Sequence, residues 1–334
     1  MARIAFSIPY IAKHLRADED YTYRRAWVER HQKTGLAISY KFDVYDQTKG
    51  WIAKPNLRNL TVFYDKILNT NAKGFRGAKN YSYKKTEGIK RILILGDSFA
   101  FGDEVSDNQT FAHYLQEMLP ESEIINLGMH GYGHDQMLIL LKEEGVNYEP
   151  DIVIIGFLPF DMPRNLLEFR DFAKPKFLLK NGKLDLVNSP VPRPEDILVW
   201  DWMRPRTIDI FALVWCKIKS FLGIRKQEME AITMALLKEM VRTIRTINAI
   251  PVIVYLPAGE EIYVSDPLLP YEEFMYKVCE DNNAVCFSAR PFFKEKVAAG
   301  TKFRIIGHWD SEGHRLVAHA IKKHLAELKL INMN

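Results

Sequence analysis

The sequence predicts an α/β protein built on a parallel sheet with helices on both faces. Three observations carry that reading. Short apolar runs of strand length recur between Arg91 and Phe287, and stretches of helical periodicity separate them. The first run, Arg91-Ile-Leu-Ile-Leu-Gly96, is continuously apolar, as in a strand buried on both faces. The composition, 47% hydrophobic and 26% charged over 334 residues, is that of an ordinary globular chain and excludes a disordered or collagen-like one.

Residues 1–88 differ in character. They are rich in Tyr, Lys and Asn, carry short runs such as Leu60–Tyr64, and have turn signals at Lys54-Pro-Asn56 and Gly74-Phe-Arg-Gly77. They read as an irregular, β-rich extension packing on a core formed by residues 89–334. In that core, strand Arg91–Gly96 is followed by a helix over Thr110–Met118, with Asp107 and Asn108 available as caps. A strand at Ile124–Gly128, a helix over Asp135–Glu144 and a strand at Asp151–Phe157 come next. An insertion over about 166–226 then interrupts the alternation. It is far longer than the roughly 2–6 residues of a usual βα connection, so it reads as a lid or other functional excursion. Helix Glu228–Asn248, strand Pro251–Pro257, helix Glu272–Glu280, strand Ala284–Phe287 and a closing helix over Gly313–Leu330 complete the pattern. In such a sheet, functional groups belong in loops at the carboxyl ends of the strands.

The formal net charge is +4, too weak over this length to suggest nucleic acid. No apolar run reaches the about 18–20 residues of a membrane span. Ile4–Ala12 is short and broken by Pro9, and does not read as a signal peptide. The expected location is cytoplasmic or peripheral to a membrane. Phe211–Ile224 mixes aromatics with Lys217 and Lys219, and Arg225 and Lys226 follow. It reads either as a helix packing on its own domain or as a basic amphipathic helix on a membrane surface. Cys216, Cys279 and Cys286 are odd in number and lack a CxxC pair, so they read as free core thiols rather than a disulfide or zinc site. No cofactor is expected. His130, His134 and Asp135 lie on a Gly-rich stretch without the spacing of a helical zinc motif, and read as polar groups of a cleft, with His134 a candidate substrate contact.

The most informative stretch is Gly96-Asp97-Ser98-Phe99, where a buried strand ends in a turn toward a helix. That position lifts a serine hydroxyl above the sheet edge beside amides able to stabilise an oxyanion. A base must remove the serine proton before it can attack.

Four segments, in order, resemble the SGNH or GDSL-type serine hydrolase superfamily. Gly96–Phe99 is similar to its first block, with Ser98 as nucleophile. Asn126-Leu-Gly-Met-His-Gly-Tyr-Gly-His-Asp-Gln136 is similar to the second, whose glycine donates an oxyanion-hole amide; Gly131 matches best, beside the amide of Ser98. Asp151–Asp161 resembles the third, and His308-Trp-Asp-Ser-Glu-Gly-His314 the fifth, with His308 as general base and His314 the alternative. Thr70–Arg76, Phe101-Gly-Asp-Glu-Val105, Lys174–Phe177 and Asn188–Pro192 resemble a bacterial branch with an N-terminal extension and a long insertion. The resemblance implies a three-layer αβα sandwich with a flavodoxin-like parallel sheet, and a serine esterase or acyl transferase working on an O-acyl ester, such as that of a carbohydrate.

Two positions depart from that pattern. Phe160 stands where the third block supplies an oxyanion-hole Asn, and Asn165 is the nearest substitute. Ile305 and Ile306 stand where an Asp should precede His308, leaving Asp310, a backbone carbonyl or a more distant acid to orient the ring. Asp97, beside Ser98, is a further candidate site residue. These departures motivate a second reading, a catalytically weakened domain that binds a glycan or a partner protein.

Overall fold

The structure, a computed structural model, describes residues 19–35, 38, 40–304 and 307–331. The stretch Ile4–Ala12 and positions Ile305 and Ile306 lie outside the described residues. The chain opens with helix α1 (Glu19–Thr34) and two short two-stranded sheets, β1 (Asp43–Asp46) with β2 (Gly50–Ala53) and β3 (Leu60–Val62) with β4 (Lys66–Leu68). An alternation follows: β5 (Lys90–Leu95), the single-turn α2 (Ser98–Phe101), α3 (Phe111–Met118), β6 (Ser122–Asn126), α4 (His134–Glu143), β7 (Ile152–Phe157) and the short α5 (Asp161–Arg164). The insertion holds a hairpin, β8 (Lys176–Lys180) with β9 (Lys183–Val187), and helices α6 (Pro194–Met203) and α7 (Arg206–Phe221), which lead into α8 (Ile224–Thr246). The alternation resumes with β10 (Ile250–Tyr255), α9 (Pro270–Asp281), β11 (Val285–Ser288), α10 (Arg290–Ala298) and α11 (Ser311–Glu327).

These elements form two compact units, one from residues up to 52 with 162–235, the other from 53–161 with 236 onward. The composition break near residue 88 therefore falls inside the second unit, and the insertion belongs to the first.

The second unit holds the sheet. Its five strands are all parallel, in the order β6-β5-β7-β10-β11. The sheet's first strand in sequence, β5, thus lies between its second and third, the flavodoxin-like order, with its switch point between β5 and β7. Alternate residues of β5 serve opposite faces. Ile92 and Ile94 join Phe111, Leu115, Val317 and Ile321 in one core. Leu93 lies on the other face, within reach of the same point at Gly145 as Leu141 of α4. Neither face of β5 meets water, which is why its sequence is continuously apolar. Each such side chain contributes about 1.5–3 kcal/mol by burial.

Within this unit, residues 53–88 join the sheet through partly buried polar contacts. Arg91 donates to the carbonyl of Tyr83 (2.9 Å), and the Tyr81 hydroxyl donates to that of Ile124 (3.0 Å).

In the first unit, α1 is a helix that the β-rich reading of residues 1–88 does not include. Its inward positions are Tyr21, Arg24, Trp27 and Val28, a helical spacing with an arginine inside it. Arg24 is buried against Asp209 of α7 (2.7 Å), and Arg25, Arg204 and Arg206 pair with Asp201 or Asp209. The charge in the stripe erases the apolar periodicity that would announce the helix. One cysteine expectation is also corrected. Cys279 on α9 and Cys286 on β11 are joined as a disulfide, with Cα atoms 6.4 Å apart. The seven-residue step from helix end to strand brings them together, although the odd count and missing CxxC concealed the pair.

Candidate active site

The site is assembled wholly within the second unit, at the carboxyl edge of β5. The strand passes through Gly96 and Asp97 directly into α2. A Cβ on Gly96 would lie 2.6 Å from that of Ala100, so only glycine permits so tight a strand-to-helix turn. Asp97 caps α2, its Oδ1 accepting the Phe99 amide at 3.0 Å, and is fully buried. Its role is to hold the turn that presents Ser98.

Ser98 Oγ lies 2.7 Å from His308 Nε2. His308 comes from the loop ahead of α11 and is held on three sides. Its neighbour Trp309 is buried and donates to the Pro257 carbonyl (3.2 Å), Phe99 packs beside the imidazole at 5.0 Å, and Arg304 Nε donates to the His308 carbonyl (2.8 Å). On the far side of the ring, Nδ1 lies 3.1 Å from Glu104 Oε1. The two contacts are satisfied together when Nδ1 carries the proton and donates to the carboxylate, leaving Nε2 to accept from the serine.

Glu104 is the carboxylate facing the ring, and the sequence reading did not name it. It lies six residues after Ser98, in the same loop, and not beside the histidine. Its φ is +66°, the left-handed region, which costs a non-glycine residue roughly 1–2 kcal/mol. The loop is braced from below by Arg76, a buried residue of the Thr70–Arg76 motif, which donates to the carbonyls of Gly102 (3.1 Å) and Val105 (2.7 Å) and pairs with Asp107 (2.5 Å). Arg304 pairs with the second Glu104 oxygen at 2.7 Å. The available signal was the pair of consecutive carboxylates in Phe101-Gly-Asp-Glu-Val105, placed after a left-handed glycine, Gly102 at φ +87°.

The adjacent Asp103 is buried, with Oδ2 3.9 Å from His308 Nε2. Burial pushes its carboxyl up to about 6, and the nearby Asp97 adds to the rise, while His130, His308 and Arg76 pull the other way.

The second motif packs on the nucleophile turn. Asn126 donates to the Ala100 carbonyl (2.7 Å) and accepts the Gly128 amide (2.9 Å). A Cβ at Gly128 would collide with the backbone of Ala100 and Phe101, so glycine allows this loop to lie against α2. Gly131 follows with φ +74°. Among the described residues, no acceptor takes the amide of Ser98 or of Gly131.

The other sequence candidates lie elsewhere. Asp310 is not behind the imidazole: its Oδ1 caps α11 by accepting the Gly313 amide (3.0 Å) and its Oδ2 accepts the Arg304 amide (2.9 Å). Asn165 lies in the first unit, fully buried, with Nδ2 donating to Thr233 (2.8 Å). His134 begins α4, is completely buried and packs on Phe157, so it is no surface for a substrate. His130 is buried against Phe101. Phe160 is exposed.

His314 is a core histidine on α11, not a base for Ser98. Its Nδ1 accepts the Phe111 amide at 3.2 Å, and burial pulls its pKa down to about 3. It therefore stays neutral in the folded protein while the unfolded chain takes up a proton below its ordinary value of 6.5. Its contribution to stability is full above that value and is lost as the pH falls toward 3. The expected slope is up to ~1.4 kcal/mol per pH unit. Urea midpoints measured at several pH values should show that slope, and His314→Leu should remove it while costing about 1–3 kcal/mol for the orphaned Phe111 amide.

A serine at a strand's carboxyl end, hydrogen-bonded to an imidazole that faces a carboxylate, defines a class: α/β proteins with a Ser-His-acid constellation. No family model and no curated protein matches the sequence. Among solved structures, the chain is similar to a two-domain esterase active on acetylated mannans, at 15% identity and TM-score 0.43 over 74% of this chain and 51% of that one. It is similar to Axe2, an acetylxylan esterase from Geobacillus stearothermophilus, at 15% identity and TM-score 0.43 over 72% and 96%. It is also similar to a member of the lipolytic G-D-S-L family from Veillonella parvula, at 12% identity and TM-score 0.42 over 71% and 98%. The chain spans about half the length of the first of these. Likenesses of this depth carry nothing about activity. Among the described residues, no helix is long and apolar enough to cross a membrane.

Proposed function

We propose that the chain is an SGNH-type serine esterase that hydrolyses or transfers an acyl group through a covalent intermediate on Ser98. The observation that carries this reading is the continuous relay from Ser98 Oγ to His308 Nε2 (2.7 Å) and from His308 Nδ1 to Glu104 (3.1 Å).

In the first step, Nε2 takes the hydroxyl proton as Oγ bonds to the ester carbonyl carbon. The resulting oxyanion is held by the amides of Ser98 and Gly131. Glu104 holds the ring in the tautomer needed and, with Asp103, stabilises the imidazolium. The tetrahedral species collapses, Nε2 returns the proton to the departing alcohol, and an acyl-serine remains. Water, or the hydroxyl of an acceptor, then attacks that ester with His308 again acting as base. With Phe160 where the third motif would supply an Asn, two backbone donors act without a side-chain partner. Loss of one donor typically costs about 10²–10³ in rate, so slow turnover is expected. The resemblance of the motifs points to an O-acyl carbohydrate as substrate.

A fluorophosphonate probe should label the protein at Ser98, and p-nitrophenyl acetate should be hydrolysed above the rate of Ser98→Ala. Absence of both would favour the alternative reading, for which Phe160 is the specific motive: a domain that binds a glycan or a protein without turning it over. Adding a sugar acceptor to an active preparation separates transfer, seen as an acylated sugar, from hydrolysis.

A further inference from the structure

The first unit carries an apolar helix face turned outward. On α7, the exposed residues Ile208, Phe211, Val214, Trp215, Ile218 and Phe221 recur every three or four positions, so they form one stripe along the helix. Phe211 is 75% exposed and Phe221 88%. The opposite face, with Asp209 and Leu213, is buried. Ordinary surface helices point such a stripe inward. An exposed apolar surface of this extent marks a place where the protein meets something else.

Charge indicates what it meets. Residues 198–226 contain six basic side chains and two acidic ones, Asp201 and Asp209. Both acids are buried and ion-paired with Arg24, Arg25, Arg204 and Arg206. No acidic group of this stretch is left at the surface; just beyond it, Glu228 pairs with Lys219 and Glu230 with Lys226 (3.7 Å), so residues 198–230 carry six basic and four acidic side chains, a net +2. With 3.6 residues per turn, Lys217 and Lys219 fall about 100° to either side of the stripe's centre, so one lysine flanks the aromatic stripe on each edge. Lys217 is exposed, and Lys219 pairs with Glu228 at 2.5 Å. A second copy of this chain pairing through the stripe would bring two surfaces of net positive charge together. An anionic lipid surface would instead attract that charge while taking up the aromatics, which favour the headgroup boundary. At roughly 1.5 Å per residue, α7 is about 24 Å long, suited to lying along a bilayer and too short to cross one.

We propose that α7 is a membrane-surface helix, lying in the plane of an anionic bilayer with Phe211, Trp215, Ile218 and Phe221 at the boundary of headgroups and acyl chains and the exposed Lys217 at the lipid phosphates. The proposal stands on this helix alone and does not depend on the esterase reading.

The test is co-sedimentation of the full chain at low salt with phosphatidylcholine vesicles prepared with and without phosphatidylglycerol. Binding should be at least about tenfold tighter to the anionic vesicles, with a blue shift of tryptophan emission. The triple variant Phe211→Ser, Trp215→Ser, Phe221→Ser should lose binding at least about tenfold, and Lys217→Glu with Lys219→Glu should abolish the preference for phosphatidylglycerol. Far-UV circular dichroism and the thermal midpoint check that the variants fold. Equal binding to both vesicles by the wild type, or undiminished binding by the folded triple variant, overturns the proposal. So does a wild-type dimer in light scattering that becomes monomeric in the triple variant without any vesicle binding, which assigns the face to a second copy.

Discussion

Ser98→Ala is expected to lower kcat on an acyl ester by roughly 10⁴–10⁶-fold, and adding His308→Ala to the same chain to cost almost nothing more. In the proposed mechanism the two side chains act in one event, in which the Oγ–carbon bond forms as Nε2 takes the proton. Removing either abolishes that event, and what survives is the contribution of the amides and of substrate binding. Additive losses would mean that His308 does its work independently of Ser98, and the relay read from the 2.7 Å contact would be wrong. The experiment is a comparison of kcat in the two single variants and the double variant, with circular dichroism to show that each is folded.

The second large effect is expected at Glu104. Glu104→Gln keeps the shape but presents the imidazole with a neutral amide that can hold the wrong tautomer. Substituting the acid of such a relay typically costs about 10⁴ in kcat. Glu104 is a third exposed and shared with Arg304, so the expected loss is about 10²–10⁴. The loss should appear in kcat with KM little changed, since the carboxylate acts through the ring and does not touch the substrate. Glu104→Asp, one methylene shorter, should recover part of the activity. Asp310→Asn should leave kcat within a few-fold, because both oxygens of Asp310 are used by backbone amides. The reverse ranking, with Asp310 costly in kcat and Glu104 dispensable, would return the acid to the position beside the histidine.

Much of this arrangement could be read from the residues, for reasons that differ by element. β5, β7 and β10 are buried on both faces, so a continuous apolar run marked each of them. Ser98 and His308 stood out because each sits at a junction with strong local grammar: a glycine-framed strand end for the first, a capped helix start for the second. Asp310 drew attention for the same reason, and misled. An N-cap and a triad acid both call for a carboxylate, and only coordinates show which backbone amides it accepts. Glu104 was hidden because its place depends on a left-handed turn of the backbone, which leaves no periodicity. α1 was hidden by Arg24, whose charge is cancelled by partners some 185 residues away. Contacts of that kind lie outside any local window of sequence.

The position of Glu104 has a consequence for assembly. Nucleophile and acid are six residues apart on one continuous turn, while His308 is 210 residues from Ser98. Only one remote alignment must therefore be achieved for all three groups to meet. In a three-segment arrangement there would be two, each with its own entropy of closure and its own tolerance for error. Here residues 98–104 form a preassembled cassette, and changes of length between 105 and 307 leave the spacing of acid and nucleophile untouched. The insertion lies within that interval, so its length does not enter the spacing of the two groups, which Arg76 braces from its own position upstream of the cassette.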